Sequence, residues 1–286
     1  MKQFSNLMVL VFVVSSVLSV GLRLTVSQVM APLRRGRLVA LSLLANFVVA
    51  PAVAVSITKM MSLSEPAAIG LILLGAAAGA PFLPKIIEVV KGDLAFSVGL
   101  MVLLMVGSLA YLPLVLPFLL PGVSVDSLRI AQSLFVTMIL PLSVGLLLKA
   151  RRESLAVRLR PLMHRLCNIS LIVALVLIPA MNLQSLREIV GTRAIPAALL
   201  FIVALFGAGY ILGGPKDETR QVLGFGTAGK NMPAALLIGS QNFDDPNVAI
   251  MVILVSLLSL ILAAPMCIAF RRNRPTNEVT TLNDSR

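Results

Sequence analysis

The sequence has no tryptophan, one histidine and two cysteines among its 286 residues. His164 has no metal-ligating residues at a suitable spacing, and Cys167 and Cys267 lie far apart in or beside apolar stretches, so no metal site is expected. Phosphate-binding loops, serine nucleophile elbows and the His-Glu-x-x-His motif are also missing. The sequence therefore predicts neither a cofactor nor an enzymatic activity, and it excludes ATP hydrolysis by this chain.

Charged residues are scarce as well, since they make up 13% of the chain whereas hydrophobic residues make up 58%. Soluble domains have about 25% charged residues. The composition therefore excludes a soluble enzyme and a disulfide-rich scaffold, and it indicates an all-α polytopic membrane protein in the lipid bilayer. The formal net charge of +12 would suggest nucleic acid as the partner of a soluble protein. In a membrane protein we expect this excess in the cytosolic loops, so no nucleic-acid partner is predicted.

Nine apolar segments are long enough to cross a bilayer, which takes roughly 20 residues. They lie at about 4–24, 37–59, 66–90, 93–120, 127–149, 162–183, 193–214, 217–243 and 246–270. The first segment could be a cleaved signal peptide, since Lys2 precedes it and small residues end it. Its length and the basic loop that follows favour a retained helix. Residues 273–286 are polar and are predicted to form a disordered cytosolic tail.

The distribution of basic residues predicts how the nine segments are oriented. With nine spans, the large Lys and Arg clusters all fall on one side of the membrane. If one span more or one fewer lay between two clusters, those clusters would fall on opposite sides. Because cytosolic loops carry the excess of basic residues, we expect an outside N-terminus and a cytosolic C-terminus. The expected location is the bacterial plasma membrane.

Two of the nine segments contain glycine and proline at positions that would interrupt a helix. The first, from Gly75 to Lys85, includes Pro81 and Pro84, and the second, from Gly224 to Pro233, includes Lys230. Proline removes a helix hydrogen bond. Irregular backbone within a bilayer must be buried in protein or line a water-filled cavity. One such segment would be weak evidence, since glycine and proline are common in membrane helices, but two indicate a functional cavity.

The two interrupted segments occupy equivalent positions in two inverted repeats. Segments two to four form one repeat and segments seven to nine the other, and the charge pattern starts them on opposite sides of the membrane. Paired interrupted spans in inverted repeats are typical of a transporter binding site. New helix N-termini near Phe82 and Asn231, with a positive charge on a protonated Lys230, favour a small organic anion as the substrate.

The two lysines of these segments differ in their sequence surroundings. Lys85 has Glu88 three residues later, a spacing that permits an ion pair, and a lysine near a helix end can also extend to the membrane surface. Lys230 has no carboxylate within four residues and lies between apolar stretches. A charge at such a position in a membrane is costly and is usually functional, so the functional prediction rests mainly on Lys230.

Several stretches of the sequence resemble the bile acid:sodium symporter family. These are Leu71 to Pro81, the Lys91 to Val98 piece with the sequence Lys-Gly-Asp-Leu-Ala-Phe-Ser-Val, residues 46–51, and the glycine-rich stretch around Lys230. The resemblance extends from about Val17 to Phe270. It implies a nine-span form with two crossing broken helices, in one transporter domain over residues 1–272. The implied core lies at about 37–120 and 191–270, and the implied panel at about 4–25 and 127–183.

The resemblance also implies sodium-ligand positions, and the sequence departs from the family's pattern at most of them. The family's Ser-Asn pair in the first broken helix corresponds to Leu83 and Pro84. A glutamine before that break corresponds to Asn46, and a serine and a threonine in the helix after it correspond to Ser97 and Met101. In the second broken helix, the Glu, Gln and Asn of the family's Glu-x-x-x-Gln-Asn correspond to Gly226, Lys230 and Asn231. Because sodium is a hard cation that prefers several oxygen ligands, sodium coupling is doubtful.

The ammonium of Lys230 could replace the sodium ion in two ways. A permanently charged ammonium would leave transport uncoupled, whereas one that releases its proton would permit proton-linked transport. The residues predicted to bind substrate or ion are Lys230, Asn231, Asn46, Ser97, Gly226, Thr227, Gly229, Pro81, Pro84 and Lys85.

The sequence favours a symporter-like secondary active transporter for a small organic anion, working by alternating access. One alternative is a proton or cation antiporter of similar inverted-repeat fold. Such a protein normally has an acidic residue within the membrane, a role that only Glu88 approaches here. Another alternative is a family member that binds a ligand without transporting it.

Overall fold

The structure is a computed structural model that describes residues 2–30, 35–123, 126–190 and 193–272. Within these ranges the regular structure is entirely helical, without strands. The helices are α1 (Lys2–Gly21), α2 (Val26–Met30), α3 (Gly36–Leu44), α4 (Ala50–Met60), α5 (Glu65–Ala76), α6 (Leu83–Val89), α7 (Leu94–Leu119), α8 (Ser127–Leu134), α9 (Leu140–Arg151), α10 (Glu153–Met181), α11 (Leu183–Val190), α12 (Ala194–Leu212), α13 (Asp217–Ala228), α14 (Met232–Asn242) and α15 (Pro246–Arg272). Together with the apolar composition, this makes the chain an all-α polytopic membrane protein. The predicted tail, 273–286, lies outside the described residues.

Seven continuous helices in the described part of the chain are long and apolar enough to cross a membrane. They are Gln3–Gly21, Gly36–Met60, Leu94–Leu119, Ser127–Arg151, Glu153–Met181, Ala194–Leu212 and Pro246–Arg271. The other two predicted segments each consist of two shorter helices, α5 with α6 and α13 with α14. The count of nine spans therefore stays a prediction.

Two of the long helices contain a π-helical turn, at Ala45–Val49 between α3 and α4 and at Phe135–Ile139 between α8 and α9. Each turn precedes a proline at the start of the next helix. Pro51 has no N–H to donate to the carbonyl of Phe47 four residues earlier, and the hydroxyl of Tyr111 donates to that carbonyl at 2.5 Å. The first π-helical turn contains Asn46, whose side chain is buried.

The sixth predicted segment begins earlier than the apolar pattern indicates. The sequence predicts a span at 162–183, whereas α10 begins at Glu153 and continues through Pro161. The residues before Pro161 include arginine, leucine and alanine, which are strong helix formers. The helix therefore extends past the apolar stretch into the basic region, because helix formation needs no apolar environment when propensity favours it.

Glycine residues allow several neighbouring helices to pack closely against each other. Helix α1 packs against α9, α10 and α14. A Cβ at Gly21 would lie 2.6 Å from the carbonyl oxygen of Leu142, and a Cβ at Gly209 would lie 2.3 Å from that of Leu223 on α13. Small residues at such points permit close backbone packing between membrane helices. The division of these helices into a core and a panel remains a prediction.

Candidate functional site

The irregular segments that separate α5 from α6 and α13 from α14 meet inside the molecule. Helix α5 ends at Ala76, and helix α13 ends at Ala228. The backbone N–H of Asn231, just before α14, donates to the carbonyl oxygen of Ala77 at 2.9 Å. Both residues are fully buried. The two segments thus share a direct backbone hydrogen bond and form one site, which we call the junction (residues 77–82 and 229–231).

The first segment of the junction depends on one glycine and on a serine from α7. Gly79 has φ of +89°, a conformation that side chains with a Cβ rarely adopt. The buried hydroxyl of Ser108 donates to the carbonyl of Ala78 at 3.0 Å and accepts from the N–H of the same residue at 2.7 Å. Helix α7 therefore satisfies backbone groups that a continuous helix would satisfy internally.

The second segment of the junction ends at Asn231, which caps α14. Its Oδ1 accepts a hydrogen bond from the backbone N–H of Ala234 at 3.2 Å. Pro233 occupies the first turn of α14, where a backbone N–H would have no partner within the helix, so its missing N–H costs no hydrogen bond. The Nδ2 of Asn231 is buried without a hydrogen-bond partner in the described part of the chain. One donor at the junction therefore remains available.

Lys230 extends from the junction to the π-helical turn of the second long helix. Its Nζ donates to Oδ1 of Asn46 at 3.2 Å. The Nδ2 of Asn46 donates to the carbonyl of Ser42 at 3.0 Å and to Oγ1 of Thr227 at 3.4 Å. Lys230 is partly buried, and among the described residues no carboxylate lies within ion-pair distance of its Nζ. A charged Lys230 would therefore be stabilised by the amide oxygen of Asn46 and would have no negatively charged side chain beside it.

Gly226, where the resemblance implies an acidic sodium ligand, is packed against apolar groups. A Cβ at Gly226 would lie 3.2 Å from Cδ2 of Leu83, which occupies another of the implied ligand positions. Leu83, Leu100 and Met101 are all buried in one hydrophobic cluster. The described residues also contain no group of three or more His, Cys, Asp or Glu side chains that could hold a metal ion. Gly226, Leu83 and Met101 therefore offer no side-chain oxygen beside the junction.

Other predicted site residues have separate roles in the structure. Ser97 is buried, and its hydroxyl donates to the carbonyl of Leu94 in the same helix at 2.8 Å. Gly229 lies where a Cβ would be 3.1 Å from Cβ of Ala80, so it permits the two segments of the junction to approach each other. Pro81 lies within the first segment, and Pro84 lies in the first turn of α6. The structure therefore brings together Lys230, Asn46, Thr227 and Asn231 from the predicted set.

Lys85 takes no part in the hydrogen bonds described for the Lys230 group. It is exposed on α6, and it forms no ion pair with Glu88, although the spacing in sequence permits one. Both side chains are exposed, and a solvent-exposed pair gains little from contact.

The Lys91 to Val98 piece that carries part of the resemblance has a structural role. Lys91, two residues after the end of α6, has φ of +56°, and Asp93 caps α7 by accepting a hydrogen bond from the N–H of Phe96 at 2.9 Å. Asp93 also forms an ion pair with Arg35, whose guanidinium lies 5.5 Å from the centre of the Phe96 ring. These contacts fix the connection that leads away from the junction.

Ser108, which holds the first segment of the junction from α7, was not indicated by the sequence. It lies in the middle of α7 as an isolated serine among apolar residues, a pattern that is equally typical of a hydroxyl bonded to its own helix. Its partner, Ala78, is 30 residues away in sequence. No signal in the local sequence identifies this pair.

Comparisons with known proteins agree with the resemblance in the sequence. The family model described as the Sodium Bile acid symporter family matches residues 8–191. A protein of Oryza sativa subsp. japonica, named "Probable sodium/metabolite cotransporter BASS2, chloroplastic", is 27% identical over 268 residues, which cover 91% of this chain and 63% of the rice protein. The chain thus spans less than two thirds of the length of that relative. Because the family model matches more than half of the sequence, the chain belongs to the sodium bile acid symporter family.

Proposed function

We propose that the protein is a secondary active transporter that carries a small organic anion by alternating access, with the ammonium of Lys230 in place of a sodium ion. The observation that carries this proposal is the 3.2 Å hydrogen bond from Nζ of Lys230 to Oδ1 of Asn46. It joins one segment of the junction to a different long helix. A cationic group therefore links elements that, in the proposal, a bound ion would otherwise hold together.

The charges and donors at the junction support an anion as the substrate. Lys230 lacks a carboxylate partner among the described residues, and Nδ2 of Asn231 is an unused donor close to it in sequence. The N-terminus of α14 adds a partial positive charge at the same end. A carboxylate is complementary to all three groups, whereas a cation would be repelled by Lys230 and by the helix N-terminus.

The apolar packing around Gly226 supports transport that is not coupled to sodium. The name of the rice relative describes a sodium/metabolite cotransporter. In this chain, however, Gly226, Leu83 and Met101 provide no side-chain oxygen at three positions where the resemblance implies sodium ligands. Since sodium requires several oxygen ligands, the missing oxygens and the nearby ammonium both disfavour its binding.

Uptake of organic anions into proteoliposomes tests the proposal. A panel of carboxylates would be offered to the reconstituted protein, with imposed sodium or pH gradients. We expect uptake in the absence of sodium, and we expect Lys230→Gln to reduce it by about tenfold or more, which corresponds to about 1.4 kcal/mol of lost interaction. Lys59→Gln, an exposed lysine on the helix that follows Asn46, is the matched control and should transport normally.

Two results would overturn the proposal. One is uptake that requires a sodium gradient and ignores pH, and the other is unchanged uptake by the Lys230→Gln variant. The gradients also separate the two coupling modes. A pH gradient drives uptake if Lys230 exchanges a proton during the cycle, whereas neither gradient drives uptake if its charge is permanent.

We further propose that the protein resides in a bacterial plasma membrane with its N-terminus outside and its C-terminus in the cytosol. The basic connections and the apolar helices support this orientation. A reporter fused after Arg286 that is active only in the cytosol should be active, and activity of a reporter that works only outside would contradict the orientation.

A further inference from the structure

A basic cleft lies between the end of α1 and the first half of α10. Its volume is about 380 Å³, and its lining residues are Ser19, Arg23, Val157, Arg160, Pro161 and His164. None of these residues belongs to the junction, which is built from other helices. The lining contains two arginines and a histidine and no carboxylate. Such a cleft has the charge to hold an anionic group.

The two arginines of the cleft are close enough to repel each other. Burial, followed by the charge of Arg160, lowers the pKa of Arg23, while the charge of Glu88 acts in the opposite direction. Neither arginine forms an ion pair with a carboxylate in the described part of the chain. His164 lies 3.3 Å from the side-chain amide of Asn168, a neutral partner. An anion in the cleft would relieve the repulsion between the two guanidinium groups.

An exposed apolar surface on α10 continues from the cleft. Pro161 and Ile172 are separated by eleven residues, or about three helical turns, so they lie on nearly the same side of α10, about 16 Å apart. The exposed apolar side chains nearest this side of the helix are Ile169, Ile172 and Val176. The cleft therefore combines positive charge at one end with an apolar surface leading away from it.

We propose that this cleft binds the phosphate head group of an anionic phospholipid, with the acyl chains lying along the exposed apolar surface of α10. Guanidinium groups are suited to phosphate because they offer paired donors in a planar arrangement. Basic clefts beside membrane helices bind anionic head groups by the same physical principle. The lipid would connect α1 to α10 at one end of the molecule. This proposal does not depend on the transport activity.

Lipid binding to the purified full-length protein tests the proposal. Native mass spectrometry in detergent would compare dioleoylphosphatidylglycerol with dioleoylphosphatidylcholine at equal concentrations. We expect one retained phosphatidylglycerol in the wild type, with affinity reduced about fivefold for each arginine replaced in Arg23→Gln and Arg160→Gln. The Lys substitutions at these positions, which keep the charge, should retain most of the binding. Arg158→Gln, on the same helix outside the cleft, is the matched control and should bind normally.

Several outcomes would overturn the proposal. These are equal binding of the two lipids, wild-type binding of phosphatidylglycerol by the variant with both glutamines, or a loss of binding as large in Arg158→Gln. Glycerol phosphate, which has the head-group charge without acyl chains, distinguishes a soluble anion from a lipid. If it binds as tightly as phosphatidylglycerol, the apolar surface contributes nothing and the lipid is excluded. Thermal unfolding of each variant without added lipid verifies that it is folded.

Discussion

At the level of single residues, Asn46 connects three parts of the chain through one side chain. Its Oδ1 accepts from Lys230, and its Nδ2 donates to Ser42 and Thr227. The resemblance implies a glutamine at this position, so Asn46 is a shorter amide, and Lys230 is a longer side chain facing it. A buried amide that uses both of its ends is sensitive to substitution, because each unpaired group costs about 1–3 kcal/mol.

The Asn46→Asp substitution should suppress transport without unfolding the protein. The carboxylate has almost the shape of the amide, and its ion pair with Lys230 would offset the lost hydrogen bond to the carbonyl of Ser42. The junction would then lose its net positive charge. We expect anion uptake into proteoliposomes to fall by about tenfold or more. The control is Asn46→Gln, which keeps a neutral amide and the family's usual residue. Wild-type uptake by Asn46→Asp would show that the free positive charge is not needed.

The hydroxyl of Ser108 should contribute measurably to stability. Replacing it in Ser108→Ala leaves the N–H and the carbonyl of Ala78 without this partner, which should cost about 1–3 kcal/mol. Ser170→Ala is the matched control, because Ser170 is equally buried and bonds only to carbonyls of its own helix. Thermal unfolding in detergent measures the difference. Equal losses in the two variants would show that the contact with Ala78 has no special importance.

At the level of elements, the two segments of the junction interrupt their helices with different residues. The first segment uses Gly79 at positive φ and is supported by Ser108. The second is three residues long and uses Asn231 as a helix cap. Proline occupies the first turn of the following helix in both, where it restricts the backbone to a helical φ. The pairing of a helix stop with a proline-started helix is what the two segments have in common.

Gly79 and Gly122 form a matched pair for testing the first segment. Both have φ close to +90°, so Gly79→Ala and Gly122→Ala carry similar backbone strain of about 1–2 kcal/mol. A Cβ at Gly79, however, would lie 2.3 Å from the backbone nitrogen of Met105, whereas a Cβ at Gly122 meets nothing within 4 Å. We expect Gly79→Ala to be less stable by a further 1–3 kcal/mol or so, or to fail to fold. Similar thermal unfolding of the two variants would contradict the close packing of this segment against α7.

At the level of the whole molecule, a hydrogen bond connects the proposed panel to the proposed core. The hydroxyl of Ser133 on α8 donates to Oε1 of Gln241 on α14 at 2.6 Å. If the core moves against the panel during transport, this contact must break and form again in each cycle. Since both side chains are at least partly exposed, water can replace the bond at little cost.

A disulfide between α8 and α14 should therefore stop transport reversibly. The variant with Ser133→Cys and Gln241→Cys would be oxidised in proteoliposomes and then reduced. We expect oxidation to abolish anion uptake and reduction to restore it, while each single variant stays active under oxidation. The native cysteines, Cys167 and Cys267, are buried and common to all variants. Full uptake by the cross-linked protein would show that transport does not require relative movement of these two helices.

The sequence by itself determined the class of fold and the location of the junction. Apolar length predicts the long helices, and glycine and proline predict helix starts near Phe82 and Asn231, in agreement with the starts of α6 and α14. These features depend on neighbours in sequence, since backbone propensity and the cost of exposing polar backbone to lipid act locally. Family membership follows from the same local motifs.

Only the tertiary structure decided which side chains meet. Asn46 and Lys230 are 184 residues apart, and their hydrogen bond follows from how the long helix packs on the junction. The spacing of Lys85 and Glu88 permits an ion pair, but their exposure on α6 gives it no stabilising environment. The sequence therefore identifies the residues that can carry charge and interrupt helices. Their partners depend on packing between distant helices, which no local pattern encodes.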